Sequence, residues 1–308
     1  MLLFYNLIRK LIYEILIENG NEYVFFRFNS IFCNLNRIKK LTLDMIYETY
    51  IPSYPLSEIV DYFWYVNGVV NHSREKILPA GNQELMINLS DSFKMEDYSG
   101  EVDKECRKMW FSSILTRPII IHTSVTNVIG ISFKNTGAYS LFGFPLTEFN
   151  NYVTDLENVW NNKVTDIRDR LLELESIHSK FKLLDKLLTN EIKHEVTLNG
   201  SVEYAIGLMD KYTITEISQK VGFTNKHLNH LFRKHMGISP NKYRRILQFQ
   251  KSINMIGSNS NVDLQEIAYK SGYYDQSHFI RDFKEFTDYT PTEFLKKNTG
   301  FVNFIPMK

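Results

Sequence analysis

The chain has 308 residues, of which 44% are hydrophobic and 23% charged, with a formal net charge of +1. That length allows two domains with cores of their own, and that balance excludes a disordered polyelectrolyte or a membrane-type composition. The two cysteines, Cys33 and Cys106, have no CxxC or Cys/His spacing, which argues against a disulfide framework or a zinc site and makes a reducing cytoplasm the expected compartment.

Residues 1–44 are rich in Leu, Ile, Phe, Tyr and Asn. Arg9, Lys10, Glu14 and Glu18 break the apolar run, so no stretch reaches the ~18 apolar residues of a membrane span. No small-residue cleavage site follows to complete a signal peptide. The segment reads as an N-terminal extension upstream of the native start, with a short amphipathic helix between Leu7 and Ile17. Met45 opens a cleaner pattern.

Residues 45–155 read as a β-rich regulatory or sensor domain. Residues 59–66, 84–89, 118–121 and 128–133 are strand candidates, rich in β-branched and aromatic side chains, with a turn at Gly81-Asn82. Short strands at such spacing predict a small barrel or sandwich. Gly130 inside a strand predicts a bulge or a barrel bend. His72, Glu84 and His122 are the obvious ligand types, but they form no recognisable metal motif, so neither metal nor cofactor is expected. Tyr62, Phe63, Trp64 and Tyr65 have two readings, lining of an apolar ligand pocket or the two faces of a sheet, and composition favours the sheet.

Residues 156–198 form a helical connector. Ile167, Leu171, Leu174 and Ile177 recur at helical spacing, and Phe181, Leu184, Leu187 and Leu188 do so in a second segment. Amphipathicity requires a buried face without naming its partner, which is either the connector's own domain or a dimer seam that relays a signal.

Residues 199–298 hold one pattern twice, after a first helix over 202–210. Copy one has Ile214, Ile217 and Val221 on one face, then Gly222, then Leu228, Leu231 and Phe232, and it closes at Ser239-Pro240. Copy two has Leu264, Ile267 and Ser271, then Gly272, then Phe279, Phe283 and Phe286, and it closes at Thr290-Pro291. A supersecondary unit repeated within one chain fixes the architecture. Thr213 with Glu216, and Asp263 with Glu266, have capping-box spacing. Gly222 and Gly272 stop each first helix, and Thr224 and Asp275 cap each second one. Between the copies, residues 240–256 read as one continuous helix with Tyr243, Ile246, Phe249, Ile253 and Ile256 near one face. Two short helices around a glycine turn predict helix-turn-helix units, whose second helix enters the DNA major groove.

The outer faces of those second helices carry the candidate readers. Lys226, Asn229 and His230 in copy one, and Gln276, Ser277, His278 and Arg281 in copy two, are the base-facing candidates, because Arg, Asn and Gln pair bidentately with base edges. Thr224, Arg233 and Lys284 suit phosphates. The bland alternative is a solvated helix face, and the duplication weighs against it. By count, residues 199–298 carry about +4 and the rest about −3, which places an anionic partner on the carboxy-terminal side. Residues 299–308 read as an irregular, frayed tail.

Gly222-Phe223, Leu228, Phe232-Arg233, Gly237-Ile238-Ser239-Pro240 and Tyr243, followed by Ile267-Ala268, Gly272-Tyr273, Asp275-Gln276-Ser277, Phe279, Arg281, Phe283-Lys284 and Thr290-Pro291, resemble the DNA-binding domain of the AraC/XylS family of bacterial transcription regulators. His230 and Gln248 stand where that family commonly has arginine, and Asp288 where it has glycine. Less specifically, Pro52, Leu56, Trp64, Leu78-Pro79-Ala80-Gly81, Glu84-Leu85, Arg117-Pro118, the 130–133 stretch and Gly137-Ala138 look like the cupin-like amino-terminal domain of one branch of that family, with Ala80 in place of its usual acid.

The resulting expectation is an α+β chain: a β-rich, barrel or cupin-like amino-terminal domain, a helical connector, and an all-α carboxy-terminal domain with two helix-turn-helix motifs joined by a long helix. Its function would be sequence-specific binding of double-stranded DNA, not enzymatic catalysis. The resemblance adds RNA polymerase, a small-molecule effector of the amino-terminal domain and a second copy as candidate partners. Two rivals are an interaction or sensor protein whose helix-turn-helix domain has lost specific DNA binding, and a DNA-repair alkyltransferase fusion, for which Cys33 and Cys106 lack the supporting motif. Operator, direction of regulation, effector and oligomeric state are not written in the sequence.

Overall fold

The computed structural model describes residues 42–70, 72–96, 102–122, 125–149, 153–192, 196, 198–258, 263–297 and 304–307. The expected amphipathic helix within 1–44 lies outside the described residues.

Strands β1 (Thr42–Tyr50), β2 (Val60–Val70), β3 (Arg74–Ile77), β4 (Glu84–Asn88), β5 (Phe93–Glu96), β6 (Val102–Cys106), β7 (Met109–Ser112), β8 (Ile119–His122), β9 (Val125–Phe133), β10 (Val153–Asp155) and β11 (Phe304–Met307) build two antiparallel sheets. The larger runs β1-β2-β9-β4-β7-β10 and the smaller β11-β3-β8-β5-β6. The helices are α1 (Gly137–Phe142), α2 (Glu157–Trp160), α3 (Asn162–Leu172), α4 (Ile177–Glu191), α5 (Gly200–Gly207), α6 (Ile214–Val221), α7 (Asn225–Met236), α8 (Pro240–Ser258), α9 (Leu264–Lys270), α10 (Gln276–Thr287) and α11 (Pro291–Lys297). The chain is thus β-rich up to β10 and helical after it, except for its last strand.

Both faces of the larger sheet are covered, and the two-residue period of a strand decides which side chain goes where. Phe63, Leu85, Ile87, Phe111, Ile129 and Ile131 form one core with Val164, Ile167 and Leu171 of α3 and Phe181, Leu184 and Leu188 of α4. The connector therefore packs on its own domain. Tyr62, Trp64, Met86 and Trp110 face the other way and meet Ile77, Met95 and Ile121 of the smaller sheet. Of the four consecutive aromatics 62–65, two thus serve each core.

Three expectations are corrected. Gly130 makes no bulge: it pairs in register with Trp64 on one side and Met86 on the other. A Cβ there would sit 2.0 Å from the Trp64 ring, so the glycine makes room for the indole. The sheet begins at Thr42, paired with Val70, so the strand starts before Met45, the first residue of the expected domain. The tail is not frayed over residues 304–307. Phe304 pairs with Ile77 and Met307 with Arg74, as an edge strand of the smaller sheet. Pro306 is compatible with that edge, because a missing N–H costs little where no neighbour accepts it. Phe304 is buried among the barrel side chains and Ile305 among those of the helical domain, so this short strand clasps the two together.

The two halves meet elsewhere too. Leu78 and Ile114 belong to the helical domain's own apolar cluster. Gly81, at φ +78°, brings the loop after β3 against Tyr243, Ile246 and Leu247 of α8, and the Gln250 amide donates to the Pro79 carbonyl at 2.5 Å. Lys76 of β3 pairs with Asp288, just beyond α10, at 2.6 Å.

Candidate nucleic-acid interface

Each helix-turn-helix unit is built from local signals that agree. Thr213 and Glu216 form a complete capping box at the start of α6, and Thr213's donors hold the Glu216 carboxyl below the usual carboxylate range. Asp263 caps α9 by accepting from the Gln265 and Glu266 amides, without the reciprocal bond. Gly222 and Gly272 both take positive φ, which glycine tolerates without steric cost. Thr224 and Asp275 cap α7 and α10 by accepting from the His227 and His278 amides. Asp288 ends α10 in the left-handed region, which a short polar side chain tolerates better than most. Gln248, one of the departures noted above, donates to the Gly272 carbonyl at 2.5 Å and so ties α8 to the second turn.

Leu228, Phe232 and Met236 of α7, and Phe279, Phe283 and Phe286 of α10, are fully buried. The opposite faces are open. Thr224, Lys226, His230 and Arg233 are exposed on and before α7, with Asn229 half-buried. On α10, Gln276, Ser277, Arg281 and Lys284 are exposed. His278 is more constrained: it lies 3.5 Å from Asp282 and edge-on to Tyr273. The 19 residues of α8 run between the units, with Tyr243, Ile246, Phe249, Ile253 and Ile256 all buried, as their spacing requires.

Sequence reasoning missed Tyr269 and Tyr274 on the second unit, 82% and 98% exposed. It also missed the joint behind the first reader helix. There the Thr136 hydroxyl donates to Glu203 at 2.8 Å and accepts from the Asn199 amide at 3.0 Å. The Tyr243 hydroxyl donates to Asn135 at 3.2 Å. His235, in the last turn of α7, lies 4.2 Å centroid to centroid from Tyr139 of α1, and its Nε2 is 3.2 Å from the side-chain Nδ2 of Asn199. No local pattern marks such contacts, since their partners lie 36 to 108 residues away.

Burial, with Lys234 and His230 nearby, holds the His235 imidazole down at about 4, against an ordinary 6.5. Between those pH values the unfolded chain takes up a proton that the folded chain refuses. Stability is therefore expected to fall as pH drops from about 6.5 towards 4, by up to about 3 kcal/mol. His235→Phe keeps a ring on Tyr139 and should lose this component. Urea midpoints of both proteins between pH 7.5 and 4.5 check it.

The metal-type residues of the amino-terminal half have other partners. His72 bonds Glu75 at 2.7 Å, His122 bonds Glu96, and Glu84 accepts from the Trp64 indole at 3.2 Å. Among the described residues no three metal-type side chains gather, and no helix is long and apolar enough to cross a membrane.

Residues 217–297 match a helix-turn-helix domain family, and residues 48–155 match a domain of unknown function, DUF6597. The transcriptional activator AarP of Providencia stuartii is 28% identical over 97 residues, which are 30% of this chain and 69% of AarP. The arabinose operon regulatory protein of Escherichia coli is 28% identical over 97 residues, 32% of this chain and 33% of that protein. Residues 217–297 are thus similar to a stretch of AraC/XylS-type transcription regulators. Another relative, the transcriptional activator Btr of Bacillus subtilis, is 26% identical over 41% of this chain and 24% of its own length. The chain thus spans about a quarter of the length of Btr, and likewise of the B. subtilis regulator YtdP. Among solved structures, ToxT of Vibrio cholerae is 13% identical over 82% of this chain and 98% of ToxT, with a TM-score of 0.41. An AraC-type DNA-binding domain protein of Chromobacterium violaceum is 22% identical over 32% of this chain and 90% of its own, with a TM-score of 0.29.

Proposed function

We propose that this AraC-type chain binds double-stranded DNA sequence-specifically and reads two adjacent major-groove segments, one with α7 and one with α10. The observation that carries the proposal is the pairing of two capped units, each presenting an exposed polar face, on the single helix α8. At 1.5 Å per residue α8 is ~28 Å long, comparable with the roughly 34 Å between successive major-groove faces on one side of a duplex. Lys226, Asn229 and His230, and Gln276, Ser277, His278 and Arg281, are assigned to base edges; Thr224, Arg233 and Lys284 are assigned to phosphates. The half-buried Asn229 and the tethered His278 are the restricted members of the first set. The amino-terminal domain is the regulatory part, RNA polymerase and a second copy are its proposed protein partners, and the cytoplasm is its proposed place. No covalent chemistry is assigned to it.

The test is selection of random-sequence duplexes by the full chain at fixed salt, since phosphate contacts make affinity strongly salt-dependent. Two sequence patches about one helical turn apart are expected. On the selected site, Arg281→Ala should cost about 1–3 kcal/mol and relax preference at one base pair, whereas Lys284→Ala should weaken all sequences alike and flatten the salt dependence. Binding with no enriched motif, abolished by modest salt, would instead favour a chain that has lost specific reading.

A further inference from the structure

Among the described residues of the helical domain, one large aliphatic side chain is exposed, Ile280 of α10. The helical period explains where it points. Phe279, Phe283 and Phe286 take the buried face, so Gln276, Ile280 and Lys284, four apart, form an outward row, with Ser277 and Arg281 beside it. Ile280 takes no part in the domain's apolar cluster. Isoleucine is also a poorer helix former than alanine or lysine, so neither packing nor helix propensity accounts for it there.

The side chain is held ready for contact. Phe279 and Phe283 fix its turn of α10 in the core, and the buried Asp282, two residues on, is gripped by Arg245 of α8 at 2.6 Å. A β-branched residue in a helix keeps one strongly preferred rotamer, so Ile280 has little side-chain entropy to lose, unlike Gln276 or Arg281. Of the groups that base edges offer in the major groove, the apolar one is the C5 methyl of thymine. We infer that Ile280 reads thymine, packing on that methyl in the groove segment that α10 enters. This rests on the proposed reading of DNA by α10 and names one base within it.

The duplication gives the comparison. Counted from the capping residues Thr224 and Asp275, Ile280 stands where the first unit has Asn229. An asparagine amide pairs bidentately with adenine through hydrogen bonds that no methyl group supplies. At equivalent positions the two readers therefore differ in kind, with hydrogen bonding on α7 and apolar contact on α10. Loss of a thymine methyl should be felt through Ile280 and not through Asn229, and the two halves of the DNA site are not interchangeable.

The experiment starts from the duplex that the full chain selects. Each thymine is replaced singly by deoxyuridine, which removes the methyl and keeps the base pair, and affinity is measured at fixed salt by fluorescence anisotropy. One replacement should weaken binding about fourfold, the worth of one buried methyl group. Ile280→Ala should bind the all-thymine duplex more weakly and become indifferent to that same replacement, while keeping its response at every other thymine. Ile280→Gln is a second variant with the same expectation, and alanine at this exposed position favours the helix, so folding is retained. If no deoxyuridine weakens binding, or if both variants respond as the unaltered chain does, the inference is overturned and reading by α10 still stands. A full chain that selects no duplex overturns that reading and the inference together, so the two failures are told apart.

Discussion

Arg245→Met is expected to lower the stability of the full chain by about 3–5 kcal/mol, the range for breaking a buried ion pair from one side. Arg245 lies on α8 and grips Asp282 of α10 with two nitrogens, at 3.0 Å from Nε and 2.6 Å from Nη2. The same Nη2 reaches Glu285 at 2.5 Å, and Lys242 pairs with Glu285 from the other side. Asp282 is fully buried, whereas the guanidinium is partly exposed, so the asymmetry matters. Methionine fills the space of the arginine stem but leaves a buried carboxylate with only His278, at 3.5 Å, close to it.

The double variant Arg245→Met with Asp282→Leu removes the stranded charge and should recover most of the loss. That recovery separates stranding of the charge from simple loss of packing, because residues in one network do not add. Urea unfolding monitored by circular dichroism measures both. Glu285 adds a pH signature. Burial raises its carboxyl, but the bonds and charges of Lys242 and Arg245 outweigh burial and leave it below its ordinary 4.5. A depressed carboxyl stabilises the fold above the unfolded value and ceases to do so as pH falls through the folded one. The network should therefore be intact at neutral pH and weaken only below about 4.5.

The second large effect is expected at the other end of the helical domain. Phe304→Ala should cost about 3–4 kcal/mol, near the low end for a buried phenylalanine because the strand is terminal. The ring is 4% exposed, packs in the barrel core and lies 6.2 Å from the His72 ring. Denaturant midpoints give the cost directly. Ending the chain before Phe304 also removes Ile305 from the helical domain's core, and the single unfolding transition expected of the whole chain should then separate into two. One unbroken transition in the shortened chain, at the original midpoint, would count against the clasp.

The helix-turn-helix units were legible because their determinants are local. Caps, glycine stops and the spacing of Leu228 and Phe232, or of Phe279, Phe283 and Phe286, all lie within about two dozen residues of one another. The β half was legible only in part. Strands rich in β-branched and apolar residues, such as Val125–Phe133, announce themselves. Val102–Cys106 reads Val-Asp-Lys-Glu-Cys and resembles a charged loop, yet it forms a strand on β5 because its pairing is set by residues six to thirteen positions away. Phe304–Met307 was hidden by its proline and by its distance from β3, more than two hundred residues earlier. The cavity between the two sheets was beyond reach for the same reason, because its walls come from strands whose register no local pattern fixes.

The last strand also changes what motion the reading domain can have. A domain held by a single covalent connection can turn about three axes. This one leaves the barrel side after α4, packed on the larger sheet, and returns to it at β11, on the edge of the smaller. Two anchorages on one body leave fewer movements open than one. Reorientation of α7 and α10 relative to the barrel is thereby restricted, with the joint at Thr136, Glu203 and His235 and the loop at Gly81 as the surfaces that must slide or part. Larger excursions require β11 to peel away first.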